Sequence, residues 1–182
     1  MLRPTPPFVL LDDARDGGAA ARLYTAPVEV VVAHAPAEVA PALARLRRAR
    51  QTGLHAVGYL TYEAGAAFEP GVAARPANDP LLWFGLFADY AIVDAQAMLP
   101  DPAGAWIGDL EPEVSPERHA AQFAAVQALI TAGDLYQVNQ TFRAQVPVAG
   151  DPLALYAGLR ARSRAGWGAV VATGEATILS LS

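Results

Sequence analysis

Residues able to do chemistry are few in this chain, and their spacing limits them further. Cysteine is absent from the 182 residues, which removes disulfides, thiolate metal sites and a cysteine nucleophile. All 13 residues of the Lys+Arg class are arginine, so no lysine amine exists to attack a substrate or form a Schiff base. His34, His55 and His119 each stand apart from acidic or serine partners at any catalytic spacing, and read as surface or packed histidines. Glu63 and Glu69 lie six apart beside aromatic residues. A carboxylate pair can share acid–base work, but capping or solvation is the fuller account of these two. Gly71 and its neighbours lack the spacing of a phosphate loop. Nothing here stands as an active site, and no metal site is expected in this chain.

Composition narrows the classes. Apolar content of 53% and mean hydropathy of +0.23 describe a globular chain long enough for a respectable core. A net charge of −5 argues against a nucleic-acid partner, whose phosphates need neutralising. The one basic cluster, Arg47 and Arg48 flanked by Arg45 and Arg50, reads as the solvated side of a helix. No apolar run approaches the roughly 18 to 20 residues that span a bilayer. The opening segment MLRPTPPFVLLDDAR has only a short apolar patch behind prolines and does not read as a secretory signal, so a cytoplasmic address is expected.

The elements that must position any site follow from periodicity. Residues 8–11 and 28–33 read as strands, separated by Asp12-Asp13 and a Gly17-Gly18 turn. Val39, Leu43 and Leu46 repeat at helical spacing, which predicts a helix to about Arg50 with Pro41 in its first turn and Gly53 beyond its end. Residues 56–62 form a third strand, 65–68 turn briefly helical, and the proline-rich stretch 69–80 is the expected mobile loop. Residues 81–93 (LLWFGLFADYAIV) are long for one strand, so Asp89 marks a bend or bulge. Loop follows over 100–116, with Trp106 as its expected anchor. Ser115 and Pro116 open a helix that carries Phe123, Val126 and Ile130 and stops at Gly133. After it, Val138, Phe142, Ala144 and Val146 alternate with polar residues, the pattern of a central strand. Asp151-Pro152 opens a helix to about Ser163, and 167–172 with 176–181 read as a hairpin. Strands and helices mix without strict βαβ alternation, which predicts an α+β fold of mainly antiparallel sheets with packed helices.

Three stretches are more specific than their periodicity. Ala132 to Asn139 (AGDLYQVN) resembles the AGD-(I/C)-YQVN signature of the chorismate-utilising enzymes. The stretch 55–69 (HAVGYLTYEAGAAFE) is similar to that family's GxxGxxxYxxGxxFE segment, and 176–182 (ATILSLS) to its strand leading into Ser-Pro-Glu. The resemblance implies a β-sandwich flanked by helices, with residues 1–110 as an N-terminal region and 111–182 as the start of the chorismate-binding domain. It implies amination of chorismate, ammonia from a glutamine amidotransferase subunit, and Mg²⁺ in the full-length enzyme. YQVN at 136–139, Asp12-Asp13 and PLLWFG at 80–85 favour the aminodeoxychorismate branch. The anthranilate branch and a non-catalytic module binding an amino acid or a partner are the alternatives.

The family's nucleophilic lysine lies in a Pro-Ile-Lys-Gly-Thr motif, and its acid/base glutamate in Ser-Pro-Glu. The lysine motif does not occur here, and the strand that resembles the approach to the second motif stops at Ser182, immediately before its Pro-Glu. Residues 178–182 read as apolar strand without a closing turn or cap, which predicts that this is the N-terminal portion of a larger protein whose C-terminal half completes the site. The family also has an amino-acid pocket in this half. Carried over, it falls on Leu11 and Asp13 in Leu10-Leu11-Asp12-Asp13, and on Gly166, Trp167 and Gly168. Asp13 replaces a serine and Gly166 a proline, which changes the charge at the ligand's polar end. Trp167 offers to fill the slot itself, so a packed loop without ligand is the expectation there.

Overall fold

The computed structural model describes residues 3–69, 71 and 79–182. Most of the expected loop at 69–80 lies outside the described residues. Two compact units divide the chain: one takes the residues up to Pro102 and those from Pro152 onward, the other Ala103–Asp151.

The first unit runs β1 (Phe8–Asp12), β2 (Ala21–Thr25), β3 (Glu29–Ala33), α1 (Pro36–Gln51), β4 (His55–Leu60), a 3₁₀ helix (Tyr62–Ala67), β5 (Leu82–Phe87), β6 (Ala91–Val93) and α2 (Ala95–Met98). The second holds β7 (Ala105–Ile107), β8 (Glu111–Pro112), α3 (Pro116–Ala132), β9 (Ala144–Gln145) and β10 (Val148–Gly150). The chain then returns to the first unit as α4 (Pro152–Ser163), β11 (Gly168–Ala172) and β12 (Thr177–Leu181). The fold is α+β, and among the described residues all strand pairs are antiparallel.

Two sheets make the first unit a sandwich. The larger has five strands in the order β12-β11-β1-β2-β6 and the smaller has three, β3-β5-β4. Strand alternation assigns each face its partner. Phe8 and Leu10 of β1 pack with Tyr156 and Leu153 of α4, while Val9 packs with Trp83 and Phe87 of β5 in the other sheet. On the far side, Leu82 and Leu86 of β5 meet Val39, Ala42 and Leu46 of α1. Fully burying a side chain of this size is worth roughly 1.5 to 3 kcal/mol, so three such layers hold the unit together.

The run 81–93 does not bend within one strand. Asp89 accepts a hydrogen bond from the Tyr90 N–H at 2.8 Å, and the chain changes sheets there, β5 belonging to the smaller sheet and β6 to the larger. Pro41 also departs from expectation. The helix begins at Pro36, whose missing N–H costs nothing at N1, and Glu38 satisfies the start of the helix by accepting from the His34 and Ala35 N–H groups. Pro41 therefore lies inside α1, beyond its first turn. Arg45 of α1 pairs with Glu29 of β3, and Arg47, Arg48 and Arg50 are exposed, as the solvated side of a helix should be.

In the second unit, α3 keeps its local signals. Ser115 Oγ accepts from the Arg118 N–H at 3.2 Å, and Gly133 ends the helix in the left-handed region at φ 84°. The expected strand over 136–146 shrinks to Ala144–Gln145, the part that finds a partner in β8. Alternation alone cannot make a strand whose N–H and C=O groups meet no neighbour. Trp106 is 59% exposed on β7 and does not anchor its loop.

Candidate functional site

Where the sandwich ends, register builds a floor. Leu11 pairs with Arg22 on one side and Ala169 on the other, and Ala169 pairs with Ser180. Arg22, Leu11, Ala169 and Ser180 thus form a row across four strands, on the face that carries Val9, Tyr24, Val171 and Ile178 one step further along. That next row is covered by Trp83 and Phe87. At the end row, Arg22 and Ser180 remain exposed, and a cavity of about 540 Å³ lies along it. Its walls are the β1–β2 connection, with Asp13, Arg15, Ala19 and Ala20, and the approach to β11, with Gly166, Trp167 and Gly168. All five residues singled out from the sequence, Leu11, Asp13, Gly166, Trp167 and Gly168, meet at this one cavity. Trp167 stands beside the space with 79% of its surface exposed and does not fill it.

Charge in the cavity is organised by Arg15. Asp13 Oδ1 accepts from Arg15 Nε at 2.8 Å and from the Arg15 backbone N–H at 3.2 Å. Its Oδ2 accepts from Arg15 Nη2 at 2.6 Å and from the Ala19 N–H at 3.3 Å. Side-chain hydrogen bonding to Arg15 holds the Asp13 carboxyl far below the usual carboxylate range. The same guanidinium lies against Gly166, where a Cβ would come within 2.8 Å of Arg15 Nε. Asp13 recruits Arg15, and Arg15 takes the room a side chain at position 166 would need.

Asp12, one residue earlier, turns its carboxylate to the opposite face. It accepts from Tyr156 Oη at 3.1 Å and from Arg160 Nε at 2.6 Å, with its side chain only 1% exposed. Burial, and then the neighbouring Asp12 carboxylate, push the Tyr156 phenol well above its ordinary range. Gly168 permits this network, because a Cβ there would strike the Tyr156 hydroxyl. The network ties α4 to β1 directly behind the cavity.

Arg15, Arg22 and Ser180 escaped sequence reasoning. Arg22 and Ser180 join the site only through cross-strand register, which no local pattern reports. Arg15 carried one usable signal, a cation two residues after Asp13. The remaining candidates stay apart from the cavity. His55 packs edge-on to Tyr90 and tilted to Tyr24, with centroids 5.2 and 5.9 Å away, and His119 lies against Phe142. Glu63 belongs to the 3₁₀ helix and Glu69 is exposed beyond it. Among the described residues no group of three or more His, Cys, Asp or Glu could hold a metal ion. Tyr136 of the YQVN stretch is 97% exposed. The cavity offers cations, a hydroxyl, an engaged carboxylate and an apolar floor. Those are means of binding.

Fold and site together describe an α+β protein whose antiparallel sandwich, packed by helices, ends in a cavity of about 540 Å³. Residues 7–182 match the pattern of the chorismate binding enzymes, and the chain belongs to that family. No curated protein matches it. Among the described residues no helix is long and apolar enough to cross a membrane.

Proposed function

We propose that the chain belongs to component I of aminodeoxychorismate synthase, which adds ammonia to chorismate to give 4-amino-4-deoxychorismate for folate synthesis. The match to the chorismate binding enzymes over residues 7–182 supports the chorismate chemistry of this reading. YQVN at 136–139, Asp12-Asp13 and PLLWFG at 80–85 support the aminodeoxychorismate branch over the anthranilate branch. In this reading a glutamine amidotransferase subunit supplies the ammonia. Residues 1–182 contribute the sandwich and its cavity, and the nucleophilic lysine and acid/base glutamate come from the C-terminal half of the enzyme. Magnesium belongs to the same chemistry, but the described residues gather no donor set that fits it.

Incubation of the chain with chorismate and ammonium should give no product, because it has no lysine. Adding a polypeptide that carries the Pro-Ile-Lys-Gly-Thr half should yield 4-amino-4-deoxychorismate. Turnover by a pure, mass-verified sample of the chain alone would refute the assignment of roles. A partner motif of Pro-Ile-Ala-Gly-Thr at the natural locus, with anthranilate as product, would move the chain to the other branch. One observation favours a second reading, a non-catalytic module that binds an amino acid or a partner: the cavity has binding groups and neither a lysine nor a cysteine.

A further inference from the structure

We infer that the groove between the β1–β2 connection and the end of α4 is a binding site for a phosphate dianion, free or carried on a small molecule. The inference does not depend on which branch the enzyme belongs to. The groove lies on the α4 side of the larger sheet, and Arg15 alone lines both it and the cavity described above. Its volume, about 520 Å³, falls within the range of roughly 300 to 1,000 Å³ usual for small-molecule sites. Arg160 and Arg164 stand four apart along α4 and its end, and the small side chains of Ala157 and Ala161 beside them leave room. Arg15 and Asp16 line the connection side, and Gln96 of α2 a third.

The fold holds these cations in place. Arg164 takes the left-handed backbone region at φ 46°, which is costly for a residue with a Cβ. Just beyond it the Ala165 carbonyl accepts from the Ala14 N–H at 2.9 Å, which fastens the end of α4 to the connection. Arg15 and Arg160 donate to Asp13 and Asp12 through the same edge of the guanidinium, Nε together with Nη2. A guanidinium has five N–H donors, so each keeps Nη1 for another acceptor. Arg164 donates through Nη1, at 3.3 Å, to an Asp16 carboxylate that is 92% exposed. So exposed a pair is weak and yields to a stronger acceptor.

The neighbouring acids do not cancel this charge. Asp12 and Asp13 do not line the groove, and Asp94 caps α2 by accepting from the Gln96 and Ala97 N–H groups. Asp16 is the one acid among the described residues lining the groove, against three arginines. The negative end of the α4 dipole, equivalent to about half a charge, opposes an anion, but Arg160 and Arg162 in its last turn outweigh it. A phosphate group, with nearly two charges and three acceptor oxygens, can meet three guanidinium groups at once. A carboxylate has one charge and two oxygens to share among them.

Inorganic phosphate, titrated calorimetrically into the 182-residue chain at constant ionic strength just above neutral pH, should bind with a Kd at or below about 1 mM. Ribose 5-phosphate binding more tightly would identify an ester as the occupant, and equal or weaker binding would identify free phosphate. Amide shifts on adding phosphate should centre on Ala14 to Gly17 and Gln96, not on Gly166 to Ala169. Arg164→Gln, at a side chain 68% exposed, should fold as the parent does by circular dichroism. It should bind phosphate about tenfold more weakly, the worth of one charge-assisted contact. Asp16→Asn removes the competing acid and should bind at least as tightly as the parent. No binding of phosphate at millimolar concentration would overturn the inference. So would shifts centred elsewhere, an Arg164→Gln variant of unchanged affinity, or weaker binding by Asp16→Asn.

Discussion

The two units of this chain are stabilised by different means. The sandwich buries Tyr156, Phe87, Leu10, Leu82 and Leu86 almost completely, in layers that long-range strand pairing brings together. In the 103–151 unit α3 buries no residue, and Phe123, Leu129, Tyr136 and Phe142 are all exposed. That helix is defined by its ends: a serine cap, a proline at the first position and a glycine stop. Local hydrogen-bond chemistry is enough to place a helix, whereas a sheet needs partners and burial. The first unit should therefore resist perturbation at its ends and fail at its core, and the second should do the reverse.

The largest contrast is expected from truncating a phenylalanine in each. Phe87→Ala empties a fully buried site and should cost about 3 to 5 kcal/mol, read from denaturant midpoints. Phe123→Ala, at a site 51% exposed, should cost under about 1 kcal/mol. Equal losses would mean that the 103–151 unit has a core of its own. Asp12→Ala comes next. It strands Arg160, whose side chain is 20% exposed, and should cost about 3 kcal/mol. Asp16→Ala breaks an exposed pair with Arg164 and should cost less than about 0.5 kcal/mol.

Smaller effects test the local chemistry. Ser115→Ala removes the cap of α3 and should cost about 1 kcal/mol of helix stability. Hydrogen exchange would report it as faster exchange confined to the first turn, and amides of α3 should in any case exchange faster than those of β1 and β11. The last test is read at alkaline pH and comes from Tyr156, whose phenol ionises less readily folded than unfolded. Its stabilising contribution is complete below the ordinary tyrosine range near pH 10 and is lost as pH rises through the higher folded value. Denaturation series at pH 8 and pH 11 should show a steeper alkaline loss for the parent than for Tyr156→Phe. Identical slopes would remove Tyr156 from the network behind the cavity.

Much of the fold was legible because its signals are local. Ser115, Pro116 and Gly133 bound α3, Asp151-Pro152 opens α4, and Thr173 to Glu175 turn between β11 and β12, as their own side chains and dihedral preferences require. The five residues carried over from the family resemblance line one cavity. Other features misled for a common reason. The alternation after Gly133 promised a strand but has a backbone partner only at Ala144–Gln145. Residues 81–93 promised one bent strand but divide between two sheets, because one face of each half meets a different layer. Arg22 reaches the cavity through its pairing with Leu11, and Ser180 through Ala169. Asp12 and Asp13 are adjacent and identical in type, yet one is buried against Tyr156 and Arg160 while the other faces the cavity, engaged by Arg15. Composition, caps, turns and the absence of lysine and cysteine were settled by the sequence itself, since each depends on a residue and its near neighbours. Register, the face each aspartate serves and the residues gathered at the cavity were decided by the tertiary structure. They depend on burial and pairing summed over strands up to 170 positions apart, from Leu11 to Leu181.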